Sequence, residues 1–169
     1  MNAEDWGAYA LVPVSAPAFV LESAGTGDGA GVSIGKPAGA AHQKWTITPQ
    51  GERLFSIQPA ANPALALAVA KGANENGAAI VLEKESGQPW QLWSLTKHAS
   101  GSYSLTPSHV TGLGLDLLGG KQMPGAPVDL WTSSGNDPHL QWLIKPLAGS
   151  IVAEAKASAA PGYVPPCRD

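Results

Sequence analysis

The chain has 169 residues, among them 20 glycines, 15 prolines and one cysteine, and its formal net charge is −3. This length can bury a full core in one domain without disulfides or metal ions, while the glycine and proline content disfavours long helices. The negative charge argues against a nucleic-acid partner and an anionic membrane surface, and no apolar run is long enough for membrane insertion.

The N-terminal segment MNAEDWGAYA has neither the basic region nor the apolar core of a secretory signal peptide. The lone Cys167 excludes an intramolecular disulfide and leaves the redox compartment open. We therefore expect a cytoplasmic protein, a protein secreted by a non-classical route, or a fragment of a secreted protein.

The first predicted strand recurs three times as an aromatic residue, an aliphatic residue two positions later and a proline two positions after that. These runs are residues 9–13, 55–59 and 103–107. A proline has no N–H to donate to a β-ladder, so it ends each strand.

Three further strands are predicted in each copy. Their apolar residues alternate with small or polar ones, which is the period of a β-strand. The second strands lie near residues 19–21, 65–69 and 113–117, and the third strands near residues 32–34, 80–82 and 128–131. The fourth strand of each copy begins with a tryptophan: Trp45, Trp93 or Trp142.

This repetition predicts the fold. Three copies of about 48 residues (9–54, 55–102 and 103–147), with four short strands each, give twelve antiparallel strands. One copy has a single apolar face and cannot bury it alone, so the three copies must close on each other. We therefore predict an all-β, pseudo-threefold closed barrel that forms one domain over residues 9–147. The Ala- and Pro-rich residues 148–169 are predicted to be a tail or a linker.

The closing tryptophans carry a family signature. Gln43-Lys-Trp45 and Gln91-Leu-Trp93 fit a Gln-x-Trp pattern, whereas in the third copy Gln141 directly precedes Trp142. With three copies of this length, the chain resembles the ricin-type (R-type) β-trefoil lectins over about residues 9–146. It looks like a cysteine-free member, since the paired cysteines of many members are absent. The resemblance implies a β-trefoil fold, a carbohydrate partner and a core position for the signature tryptophans.

The polar residues of the third repeat differ from those of the other two. Alternation along its strands places Asp116, Asp129 and Trp131 on one outward face, so we expect an exposed ring beside two exposed carboxylates. A flat ring suits the C–H face of a pyranose, and carboxylates accept hydrogen bonds from its hydroxyls. Two carboxylates this close should either raise one pKa or attract a cation. Shifting the sequence by 48 positions without a gap aligns these three residues with Ala68, Val81 and Glu83 of the second repeat. A further shift of 48 aligns them with Val20, Ser33 and Gly35 of the first repeat.

The resemblance points to the same residues. Galactose-binding members use an Asp, a Gln two residues before an aromatic platform, and an Asn just ahead of the Gln-x-Trp. The Asp and the aromatic residue match Asp116 and Trp131, while Asp129 and His139 replace the Gln and the Asn. These departures bear on galactose specificity more than on sugar binding. The implied function is one weak site for galactose or a related sugar in the third repeat, with Asn136 and Asp137 as further contacts.

Other functions remain open at this point. A glycosidase needs two carboxyl groups about 5–9 Å apart in a desolvated site, whereas we expect Asp116 and Asp129 on an open convex face, so we predict no enzymatic activity. The four histidines have no metal-ligand spacing, and no cofactor motif is present. The alternatives are a β-trefoil protease inhibitor or protein-interaction module presenting loops such as residues 60–63 or 73–77, and an accessory polysaccharide-binding domain of a larger enzyme.

Overall fold

The computed structural model describes residues 8–25, 27–133 and 137–147. Over these residues the chain forms twelve β-strands, and no helix among them is long and apolar enough to cross a membrane. The strands are β1 (Ala8–Pro13), β2 (Val20–Ser23), β3 (Val32–Gly35), β4 (Trp45–Pro49), β5 (Leu54–Pro59), β6 (Leu65–Val69), β7 (Ile80–Lys84), β8 (Trp93–Lys97), β9 (Tyr103–Pro107), β10 (Leu113–Leu117), β11 (Val128–Thr132) and β12 (Trp142–Pro146).

Half of the strands form a closed antiparallel barrel in the order β1-β12-β9-β8-β5-β4. The remaining strands form three hairpins, β2-β3, β6-β7 and β10-β11, one in each repeat. This is the all-β, pseudo-threefold β-trefoil architecture that the sequence predicts. Short 3-10 helices connect the strands at Ala41–Gln43, Ala70–Gly72, Pro89–Gln91, Leu118–Gly120 and Pro138–Leu140. The predicted tail, residues 148–169, lies outside the described residues.

The three signature tryptophans form equivalent parts of the core. Trp45, Trp93 and Trp142 have no exposed surface. A buried indole N–H needs an acceptor, and each ring finds one in the hairpin of its own repeat. The acceptors are the backbone oxygens of Leu21, Leu67 and Leu115, at 3.0, 2.9 and 3.0 Å.

These equivalent hydrogen bonds correct the gap-free alignment of the first repeat. Because Leu21 takes the place of Leu115, the counterpart of Asp116 is Glu22, and the expected counterpart, Val20, was wrong. The strand register agrees, since Glu22 lies opposite Ser33 just as Asp116 lies opposite Asp129. The error arises because the connection from Ser23 to Val32 is two residues shorter than the corresponding connections in the other repeats.

Candidate functional site

The β10-β11 hairpin brings three of the predicted site residues together. Asp116 lies directly opposite Asp129, and Gly114 lies opposite Trp131. Residues two apart on a strand point to the same side, so Asp116, Asp129 and Trp131 share one face of the hairpin.

The expectation that both carboxylates are exposed is wrong. Asp116 is 2% exposed and Asp129 is 6% exposed, whereas Trp131 is 42% exposed. Strand alternation predicts the side of a hairpin but not what covers that side. Here His139 packs on Asp116 from the next 3-10 helix, and Ala79 of the second repeat forms a β-bridge with Asp129.

His139 connects this helix to the hairpin. Its Nδ1 lies 2.5 Å from Oδ1 of Asp116, and its Nε2 lies 2.9 Å from Oδ1 of Asp137. Both contacts are hydrogen bonds only when both ring nitrogens carry a proton, because each carboxylate oxygen can only accept. The imidazole therefore orients the Asp116 carboxylate and is itself held from the other side by Asp137. The other predicted contact, Asn136, lies outside the described residues.

Asp129 has an unusual protonation state for an aspartate. Burial raises its pKa from 3.8 to about 8, and the hydrogen bond to Asp116 and the Asp116 charge add to this rise. At neutral pH Asp129 is therefore protonated and donates to Asp116. Of the two outcomes expected for close carboxylates, the burial of Asp129 beside Asp116 favours the raised pKa. The described residues contain no group of three or more His, Cys, Asp or Glu side chains arranged to hold a metal ion.

A cleft of about 270 Å³ opens beside these residues. Leu118 and Trp131, two of the large apolar side chains that the described residues leave exposed, form apolar walls. Asp116 supplies a hydrogen-bond acceptor to the lining. Gly119 also contributes, with a φ of +64° that favours glycine. The complete lining is Asp116, Leu118, Gly119, Trp131 and His139, and it does not include Asp129.

Sequence reasoning missed Leu118 and Gly119 as lining residues. The pattern that could have indicated them is weak: a leucine and two glycines follow β10 directly, in the turn before the next strand. Nothing in that segment distinguishes residues that line a cleft from those of an ordinary turn. Trp131, the other apolar lining residue, comes from a later strand.

The first repeat lacks a ring at the corresponding place. Gly35 replaces Trp131, and the Glu22 carboxylate lies directly over Gly35 in the space that a side chain there would need. Nε2 of Gln43 donates to Glu22 at 2.9 Å. The first repeat therefore has a carboxylate but no aromatic wall, and this carboxylate is bound by the signature glutamine.

The second repeat fills the corresponding place with its own side chain. Ala68 and Val81 replace the two aspartates. Trp90, which like His139 lies three residues before a closing tryptophan, packs its ring against Gly72 so closely that a Cβ there would lie 2.8 Å from it. The indole N–H of Trp90 donates to Oε1 of Glu83 at 3.0 Å. Trp90 therefore occupies the place beside Gly72.

The departure from Gln-x-Trp in the third repeat changes the contacts of its carboxylate. Leu140 is buried and lies two residues before the closing tryptophan, at the position that Gln43 and Gln91 occupy in the other repeats. Because a leucine cannot donate a hydrogen bond, Asp116 receives none from this position and bonds His139 instead. The displaced Gln141 accepts from the hydroxyl of Ser102 at 2.8 Å.

The carboxyl pair does not fit a glycosidase. The original reason for excluding one, an exposed pair, does not hold, since both groups are buried. However, the two carboxyls are hydrogen-bonded to each other, so they lie closer than the about 5 Å that the nearer type of catalytic pair requires. A glycosidic bond cannot fit between them.

Comparisons with known proteins agree with this fold. A family model described as "Ricin-type beta-trefoil lectin domain-like" matches residues 2–83 and 65–131, which together are well over half of the chain. No functionally curated protein shows significant sequence similarity to the chain.

Several solved structures share the fold. The designed three-fold symmetric protein ThreeFoil is 27% identical with a TM-score of 0.79, and the match covers 83% of this chain and 99% of that one. A ricin B-like lectin from Macrolepiota procera, in complex with lactose, is 20% identical with a TM-score of 0.72, over 87% of this chain and 100% of the other. An exo-β-1,3-galactanase from Clostridium thermocellum is 20% identical with a TM-score of 0.78, over 83% of this chain but only 30% of that one.

Proposed function

This chain belongs to the ricin-type β-trefoil lectin-like domains, and on that premise we propose that it is a carbohydrate-binding module with one sugar site, in the cleft of its third repeat. The lactose complex of the Macrolepiota procera lectin supports a galactose-type sugar as the first candidate ligand. Family membership supports carbohydrate binding in general, and the position of the site and the sugar class are our proposals.

The observation that carries the proposal is the third-repeat cleft itself. Among the residues that the structure describes, the third repeat brings a buried carboxylate and an exposed aromatic ring into the lining of one cleft. The first repeat lacks the ring, and the second fills the space with Trp90. An exposed ring beside a buried acceptor is typical of a binding surface.

Each wall has a role in sugar binding. The Trp131 ring stacks on the apolar C–H face of a pyranose, and Leu118 contacts the sugar from the other wall of the cleft. A carboxylate has about four lone-pair sites, and His139 and Asp129 use two of those on Asp116. The remaining sites accept hydrogen bonds from sugar hydroxyls. A single shallow site of this kind has a dissociation constant on the order of 1 mM.

A glycan-array screen at high protein concentration, comparing the intact chain with Trp131→Ala, tests the proposal. We expect galactose-type hits that disappear in the variant, because the ring supplies the stacking surface. Met123→Ala is a matched control, since Met123 is a large apolar side chain, 54% exposed, that does not line the cleft. The control should keep every hit.

Two results would contradict the proposal. Hits that survive Trp131→Ala, in a variant whose circular dichroism is unchanged, would place the sugar site elsewhere on the chain. An array without hits for either protein would favour the protein-interaction alternative, and a protease panel would then test inhibitor activity.

An accessory role is the second candidate. The galactanase shows the same fold as a part of a chain about three times as long. The same cleft would then bind a polysaccharide and so keep a catalytic partner close to it. Pull-down of the chain by insoluble galactan, with Trp131→Ala as the control, tests this role, and retention of the variant would contradict it.

A further inference from the structure

The two buried aspartates of the third repeat have different relations to the cleft. Asp116 lines the cleft, whereas Asp129 does not. Asp129 lies opposite Asp116 across the β-ladder and is hydrogen-bonded to it. Any effect of Asp129 on a ligand must therefore act through Asp116.

The hydrogen bonds of the pair require a proton. Two ionised carboxylates can only accept, so a hydrogen bond between them needs one carboxyl to be protonated. Asp116 already accepts from His139, which favours keeping the negative charge on Asp116. The Oδ1 atom of Asp129 is buried without a hydrogen-bond partner, and this costs much less for a neutral carboxyl than for a carboxylate. Both observations favour the proton on Asp129, in the same direction as its raised pKa.

We propose that Asp129 is a positioning residue: its protonated carboxyl holds the Asp116 carboxylate in the cleft, and loss of this proton abolishes sugar binding. The inference rests on the proposed function, because it assigns a form of regulation to the same site. When Asp129 ionises, two carboxylates face each other at hydrogen-bonding distance, so Asp116 must move away from its position under the ligand. The third-repeat site is thus open to sugar at neutral pH and closes in alkaline solution.

The surroundings of Asp129 contain few other charges. The turn after β10 is followed by Lys121, whose side chain lies beside Gly119. The loop before β7 contains the exposed Glu75. The Glu83 carboxylate of β7 accepts from Trp90 and Gln91 in its own repeat. β3 has no charged residue. The titratable groups in the hydrogen-bonded network are Asp116, Asp129, Asp137 and His139.

Lactose binding as a function of pH tests the proposal. We measure the association constant of the intact chain between pH 5.5 and 9.5 by titration calorimetry or NMR. Above about pH 8 this constant should fall by up to about tenfold per pH unit, because binding then requires the uptake of one proton. In Asp129→Asn the amide N–H donates to Asp116 at every pH, so the loss of affinity above about pH 8 should be absent and affinity should stay within about twofold between pH 7.5 and 9.5.

Two further variants separate positioning from packing. Asp129→Leu removes the donor and should weaken lactose binding at all pH values. Glu22→Gln is a matched control at the position that corresponds to Asp116 in the first repeat, and it should keep the alkaline loss of affinity. If Asp129→Leu fails to fold, the contrast between the intact chain and Asp129→Asn still decides the question.

A measurement without sugar distinguishes failure of this inference from failure of the proposed function. Carboxyl ¹³C NMR of the unliganded chain should show Asp129 titrating near pH 8, and Asp116→Asn should lower that midpoint. Titration of Asp129 below pH 6, or lactose binding that is flat from pH 5.5 to 9.5, would overturn the inference. Absence of lactose binding at every pH, with Asp129 titrating near pH 8, would contradict the galactose-type function and leave the carboxyl pair as described.

Discussion

Asp129 lies buried opposite Asp116 in the β10-β11 hairpin of the third repeat. Because burial and the neighbouring Asp116 raise its pKa to about 8, Asp129 acts at neutral pH as a hydrogen-bond donor. The resemblance to galactose-binding members aligns Asp129 with a glutamine, whose amide is also a donor. The replacement of an amide by a protonated carboxyl therefore preserves donor capacity and makes it dependent on pH.

The raised pKa of Asp129 also predicts how stability changes with pH. The folded state binds this proton more tightly than the unfolded state, whose pKa is near 3.8, so stability falls as pH rises from about 4 to about 8 and then levels off. The slope from this group is on the order of 1 kcal/mol per pH unit at its steepest. Asp129→Asn should lack this component, so its free energy of unfolding should increasingly exceed that of the intact chain over this window. Denaturant unfolding at pH 4.5, 6, 7.5 and 9 measures the difference, and parallel pH profiles would contradict the prediction.

The burial of individual side chains is the property that the sequence predicts least well. Strand alternation correctly grouped Asp116, Asp129 and Trp131 on one face, because the period of a strand is a local property. Their burial depends on His139 and Ala79, which come from other segments and are brought there only by the tertiary fold. A pattern within one strand contains no information about such neighbours.

At the scale of elements, the site is a junction between the β10-β11 hairpin and the 3-10 helix Pro138–Leu140. His139 joins the two, with contacts to Asp116 on one side and Asp137 on the other. The first repeat has the same helix with His42, but that ring lies 3.5 Å from Glu22 and is more exposed. Exposed pairs of this kind contribute little to stability.

His139→Ala and His42→Ala form a matched pair that tests the junction. Removing His139 leaves a buried carboxylate short of a donor, so we expect a loss of about 1–3 kcal/mol in the free energy of unfolding and a weaker sugar site. His42→Ala should change stability by less than about 0.5 kcal/mol. Equal effects in the two variants, measured by denaturant unfolding at pH 7, would show that His139 has no special structural role.

The element scale also explains the one error in the repeat alignment. The third strands of all three repeats align without a gap, but the first hairpin has a shorter connection, so its second strand shifts by two residues. A shift of two keeps every side chain on its predicted face. Strand alternation therefore could not indicate this shift. The indole hydrogen bonds to Leu21 and Leu115 identify Glu22 as the counterpart of Asp116.

At the scale of the whole molecule, the three repeats share the features that define the fold, and the proposed site lies where the third repeat differs from the other two. The buried tryptophans and their bonds to Leu21, Leu67 and Leu115 recur in every repeat, so the architecture could be predicted from the sequence. Over the described residues, the cleft lies in the third repeat, where a leucine replaces the signature glutamine and the hairpin carries an exposed tryptophan. Such a site cannot be found from what the repeats share.

Indole N–H resonances report whether a sugar binds against Trp131. Titrating ¹⁵N-labelled protein with lactose to tens of millimolar should shift the resonance of Trp131, while those of the buried Trp45, Trp93 and Trp142 remain in place. A shift of Trp90 instead would move the site to the second repeat. If no indole resonance moves while lactose binds, the account of the third-repeat cleft is wrong.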